Sequence, residues 1–199
     1  MLNDRVFFPL MLLVAVIMVG GALLVGSGQP ACGPMGGADS DQSYRIVTIR
    51  GDDLCRIVAG GESEIELFEA EDGRSVVSIE MDGEAQRDAA ESSPHFKLGP
   101  DLETVYAGQT INITLMARPA ARAGAVAFEA KYSTGRAGDS GWRQFYLEPD
   151  WQAFTFSYDV PEKLLKQTVA LDYLAIRPVA GDKPRGIWIE SVTLEVQGQ

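Results

Sequence analysis

One histidine and two cysteines are all that this 199-residue chain has of the residue types most often used to hold metals. His95, Cys32 and Cys55 cannot build a conventional four-ligand zinc site by themselves. A phosphate-binding glycine loop, a Gly-x-Ser-x-Gly elbow and a His-Glu-x-x-His pair are all missing. Cations are scarce as well: 17 Lys and Arg stand against 28 Asp and Glu, a net charge of −11. Nucleic acid needs a Lys/Arg-rich surface to displace counterions, so that class of partner is excluded. A basic patch for anionic lipid is excluded on the same ground. Carboxylates are plentiful, but no pair stands out from the rest as a glycosidase couple would. His95 sits in Ser-Pro-His-Phe, a loop-like context that reads as surface rather than as a catalytic base. The chain therefore reads as something other than an enzyme.

What it does have begins with a continuous apolar run, residues 6–26. About 20 residues cross a bilayer as a helix, and this run is long enough. Arg5 and the amino terminus flank it on one side, which places the N-terminus in the cytoplasm and the rest outside. A secretory signal has a shorter apolar core, so an uncleaved single-pass anchor over residues 1–27 is the expectation, with a cleaved signal as the competitor. Residues 28–43 are small, polar and rich in Gly and Pro, and read as a flexible tether. Residues 44–199 are then one domain in the periplasm or outside the cell, on the inner membrane. An oxidising compartment would permit a Cys32–Cys55 disulfide. Two unpaired thiols fit the sequence equally well.

The domain is punctuated by Gly, Pro and Asp between short runs of period two. Residues 44–50, 65–68, 75–81, 109–117 and 126–132 read as strands, with Glu71-Asp72-Gly73 as a hairpin turn. Residues 118–124 read as a second hairpin connection, 83–94 as a surface loop and 135–141 as a long flexible loop. Residues 164–167 read as one helical turn. In residues 126–132 the alternation puts Val126, Phe128, Ala130 and Tyr132 on one side. In residues 151–158 it puts Phe154, Phe156 and Tyr158 on one side and Ala153, Thr155 and Ser157 on the other. In the last strand the apolar parity slips between Ile189 and Val192, which predicts a β-bulge or a strand buried on each face in turn. Regular short strands of this kind predict an all-β sandwich.

Residues 142–196 resemble the C-terminal half of the carbohydrate-binding-module jelly rolls, the galactose-binding-like β-sandwiches. The residues that carry the resemblance are Trp151, Phe154, Val160 and Pro161, then Tyr173, Leu174, Ile176 and Pro178, then Ile187, Ile189, Val192 and Leu194. Glu190 stands where that family often has Asp. The resemblance implies a jelly-roll sandwich behind the single N-terminal transmembrane helix, a packing role for Trp151 and a non-catalytic grip on glycan. It also implies a structural calcium ion near a Glu-Ala-Glu step, with Glu69, Glu71 and Glu190 as ligands; an exposed acidic turn is the plainer reading. No other cofactor is implied.

Aromatic residues carry the functional lead. Sugar rings stack their apolar faces on Trp and Tyr while their hydroxyls seek polar partners. Trp142, Tyr146 and Trp188 are the candidate platforms, with Arg143 and Gln144 as hydroxyl partners; the alternative is that these rings seal the sandwich edges. The favoured partner is an envelope or extracellular glycan. Its rival is a membrane or envelope protein complex in which this domain docks as an accessory subunit. Asn112-Ile113-Thr114 fits a glycosylation sequon. The oligomeric state is not legible.

Overall fold

A computed structural model describes residues 32–36, 44–162 and 171–198, all within one compact unit, Cys32–Gln199. Among these described residues eleven strands form two antiparallel sheets. They are β1 (Ile46–Arg50), β2 (Ile57–Val58), β3 (Ser63–Glu69), β4 (Ser75–Met81), β5 (His95–Leu98), β6 (Thr110–Pro119), β7 (Ala127–Ser133), β8 (Arg143–Tyr146), β9 (Gln152–Asp159), β10 (Asp172–Pro178) and β11 (Arg185–Val196). One sheet runs β3-β4-β11-β6-β9, with β1 also on β11. The other runs β2-β5-β10-β7-β8. The expected all-β sandwich is what the chain forms. A short helix, α1 (Pro100–Tyr106), was not read from the sequence; it starts on Pro100, where a missing N–H costs nothing, and buries Leu102 and Tyr106.

The core is made by the alternating inward residues of both sheets. Ile111, Ile113 and Leu115 of β6 face Phe128, Ala130 and Tyr132 of β7, and none of the six is exposed. Val126 departs from the expected set: it lies just before β7 and is 74% exposed. The slip in β11 is a bulge. Ile189 pairs with Ala117 and Ser191 with Met116, so Glu190 is the extra residue. The bulge falls where β11 changes partner, from β4 over Arg185–Ile189 to β1 over Ser191–Glu195. It keeps Ile187 and Ile189 inside on one side of the step and Val192 and Leu194 inside on the other.

Two connections differ from the sequence reading. Residues 70–74 do close the β3–β4 hairpin, with Gly73 at φ +80° where a side chain would strain the turn. Residues 120–126 do not close a hairpin, because β6 and β7 belong to different sheets; the segment crosses from one to the other. Cys32 and Cys55 are joined in a disulfide across 23 positions. Beside it Met35 is fully buried, and its backbone bonds Lys97 and Gly99 at 2.8 and 2.6 Å. Part of the stretch expected as a tether is therefore seated on the sandwich. Among the described residues no helix is long and apolar enough to cross a membrane. The expected anchor, residues 1–27, and the helical turn at 164–167 lie outside the described residues.

Candidate functional site

The edge strands of the two sheets, β8 and β9, leave an open groove of about 550 Å³ between them. Trp142, Arg143, Gln144, Phe145, Phe156 and Ser157 line it. Alternation explains the lining. On β8, Phe145 turns inward and stacks on Phe128 at 5.2 Å, while Gln144 and Tyr146 take the outward parity. On β9, Phe156 turns inward and is 8% exposed, and Ser157 turns outward. Phe145 and Phe156 meet across the groove floor, 6.1 Å between centroids.

Trp142 is fixed at one wall by what lies beneath it. Its ring rests on the Arg177 guanidinium at 3.7 Å, with the Lys131 ammonium at 5.6 Å. Its Nε1 donates to the Asp88 carbonyl at 3.1 Å. Arg177 is buried and bonds Glu129 Oε2 through Nε (2.9 Å) and a terminal nitrogen (2.7 Å). Its other terminal nitrogen donates to the Arg87 carbonyl. Lys131, also buried, donates to the Asp88 carbonyl and pairs with Asp139 at 3.1 Å. Residues 86–93 thus lie against the outer face of the five-stranded sheet, tied to its cations by main-chain oxygens. This differs from the free surface loop expected there. The loop before Trp142 is likewise pinned: Thr134 bonds the Gly138 carbonyl through both its amide and its hydroxyl, at 2.9 and 2.8 Å.

Three side chains on this edge are unengaged. Arg143, Gln144 and Tyr146 are exposed, Tyr146 by 74%, and among the described residues their side chains have no hydrogen-bond partner. The lining carries a guanidinium, an amide, a hydroxyl and three aromatic rings, with no carboxylate, imidazole or thiol. Such a surface can stack and hydrogen-bond a polar ligand.

Trp188 is not part of this site. It projects from the outer face of the other sheet, opposite Ser78 of β4 and Arg118 of β6. Its ring is occupied, by Arg118 at 4.6 Å and by Phe68 edge-on at 5.0 Å. Of the five expected ligand residues the structure therefore gathers Trp142, Arg143, Gln144 and Tyr146 along one edge and separates Trp188. The expected calcium ligands also fail to assemble. Glu190 is bonded by Arg74 at 2.8 Å, Glu69 and Glu71 are exposed, and among the described residues no group of three acidic, His or Cys residues could hold a metal. His95 is not on the surface: it lies on β5, 3% exposed, its ring edge-on to Tyr173. Nδ1 lies 2.7 Å from the Ser93 carbonyl, which places the proton on that nitrogen. Burial holds its pKa below the usual imidazole value.

Sequence reasoning missed Glu129, Lys131 and Arg177, the charged layer under Trp142. Alternation was the available signal, since Glu129 and Lys131 sit two apart, out of phase with buried Phe128, Ala130 and Tyr132.

No protein-family model matches the chain, and no curated protein matches it. Among solved structures it is similar to a CBM4 carbohydrate-binding module, at 16% identity and a TM-score of 0.46 over 80% of this chain and 92% of that one. It is similar to the CBM22-1 xylan-binding domain of Paenibacillus barcinonensis Xyn10C, at 11% identity and a TM-score of 0.47 over 70% and 85%. It is also similar to the xylan-binding module CBM15, at 15% identity and 0.45 over 72% and 90%. The structures this sandwich resembles are carbohydrate-binding modules.

Proposed function

We propose that this chain is a non-catalytic glycan-recognition domain, carried outside the cytoplasmic membrane on its N-terminal apolar run. One observation carries the reading: the β8–β9 groove places aromatic rings beside unengaged Arg143 and Gln144 side chains, with exposed Tyr146 next to them on the same edge. An extended, neutral oligosaccharide matches that chemistry, offering C–H faces to the rings and hydroxyls to the guanidinium and amide. The test is a glycan array probed with the full chain in detergent, followed by titration of the best neutral oligosaccharide against Gln144→Ala and Tyr146→Ala. Each variant should bind about fivefold or more weakly, the worth of roughly 1 kcal/mol for one contact, with an unchanged melting temperature. Affinity equal to the parent in both variants would overturn the placement of the site.

A docking subunit of a membrane complex is the second reading, and the β9 edge favours it. Gln152–Asp159 is an eight-residue outer strand whose one charge is Asp159, and natural edges are normally blunted with more charge than that. Recovery of a stoichiometric membrane partner with the full chain, and of no glycan, would establish this reading instead.

A further inference from the structure

Arg118 lies between two indoles. Its guanidinium carbon stands 4.9 Å from the Trp151 ring centre and 4.6 Å from that of Trp188. The three residues, with Phe68 against Trp188, form a band on the outer face of the six-stranded sheet, at the end of β9 where Trp151 leads into the strand. Three arginines of the domain have carboxylates: Arg56 has Asp53, Arg74 has Asp72 and Glu190, and Arg177 has Glu129. Among the described residues Arg118 has none, in a chain with eleven more acidic than basic side chains. Glu190, two positions from Trp188, is already held by Arg74. Both Arg118 Nε and Trp151 Nε1 are buried with no acceptor. Buried donors left unpaired are costly, and a charged one more so.

We infer that this band is a second binding site, one that takes the carboxylate of an acidic sugar. The indoles of Trp151 and Trp188 flank the guanidinium from the two neighbouring strands. With Nε buried, what it offers a ligand is the edge of its two terminal nitrogens, which matches a carboxylate through two parallel N–H···O bonds. The two indoles are occupied by Arg118, by Arg74 at 5.7 Å from the Trp151 ring and by Phe68 edge-on to Trp188, so neutral sugar stacking is not what this band offers. The neighbouring face favours a sugar. After one apolar step, Met116 and Ala153, it carries Thr114, Thr155, Asn112, Ser157 and Gln197, polar side chains joined in cross-strand hydrogen bonds. A chain of hydroxyls extending from the guanidinium matches that row. The choice of a sugar rests on the glycan-recognition reading; the carboxylate does not.

The test compares tri-galacturonate with its neutral methyl ester, titrated onto the full chain in detergent and followed by calorimetry. The acid should bind about tenfold or more tightly than the ester, the range of a charge-assisted hydrogen-bond pair. Arg118→Gln should erase that preference. Arg118→Lys, which keeps the charge and most of the stem but not the fork, should weaken the acid by about tenfold while the melting temperature holds. Equal affinity for acid and ester, or parent-like binding by Arg118→Lys, would overturn the inference. So would tighter binding of a capped acidic peptide than of the uronate. If neutral oligosaccharides still bind through Tyr146 in those cases, the groove reading stands and this one alone falls.

Discussion

Replacing Phe156 by Ala tests which way β9 faces. Phe156 is 8% exposed, pairs across the ladder with Ile113 of β6 and meets Phe145 at the floor of the groove. Removing a buried Phe side chain costs about 3–5 kcal/mol. This site belongs at the low end, near 3 kcal/mol, because the lost ring borders an open groove into which water can move. For a domain of this size each kcal/mol lowers the melting temperature by roughly 2–4 °C, so a fall of roughly 6–12 °C is expected. Urea unfolding should give a lower midpoint with an unchanged slope, since the surface exposed on unfolding hardly changes. The control is one residue away. Thr155 is exposed and bonded to Thr114 at 2.9 Å, so Thr155→Ala loses one cross-strand hydroxyl pair, about 0.2–1 kcal/mol. A Phe156→Ala cost under about 1 kcal/mol, or the reverse order of the two variants, would refute the orientation of the strand.

Two further outcomes follow from the same packing. Opening the Cys32–Cys55 disulfide by Cys55→Ser should cost about 3 kcal/mol from the loop it closes, read as a lower urea midpoint, and should release Met35 from its seat beside Lys97. His95 has a folded pKa below its unfolded value near 6.5, so the unfolded chain takes up its proton first as the pH falls. Its contribution is therefore complete above pH 6.5 and is lost as the pH drops through 6.5 toward the folded value; His95→Phe should flatten that part of the stability–pH curve.

The strands were legible because alternation is a local signal. Phe154 and Phe156 against Thr155 and Ser157, and the slip after Ile189, need nothing beyond the chain itself to be read. The partner of each strand is not local. Residues 118–124 have the composition of a hairpin, and only the sheet to which β7 belongs reveals the segment as a crossing. The same limit governs the site. Trp142, Arg143, Gln144 and Tyr146 are neighbours in sequence and remain neighbours in space. Trp188 joined them by residue type alone, and the fold sends it to the other sheet, where it meets Arg118. His95 looked exposed because Pro94 precedes it; nothing in Ser-Pro-His-Phe reports that residues 86–93 fold back over the sheet that carries it.

Trp142 has two duties that a single substitution cannot separate. Its inner face rests on Arg177, and its Nε1 holds Asp88, so the ring ties residues 86–93 to the sheet. Its other exposure is to the groove. Removing it would uncover the buried guanidinium of Arg177, whose Glu129 partner and Arg87 contact were arranged under the ring. A loss of ligand binding in Trp142→Ala would then report the loosened wall as much as a lost platform. Arg143, Gln144 and Tyr146 carry no such burden, because among the described residues their side chains hold nothing else in place. On the proposed glycan reading, recognition falls to the exposed residues of β8, Arg143, Gln144 and Tyr146, with Trp142 as the rigid wall beside them. The cations beneath it are already matched to Glu129 and Asp139, so they have no charge to spare for a ligand. That leaves Arg143 as the cation the groove presents.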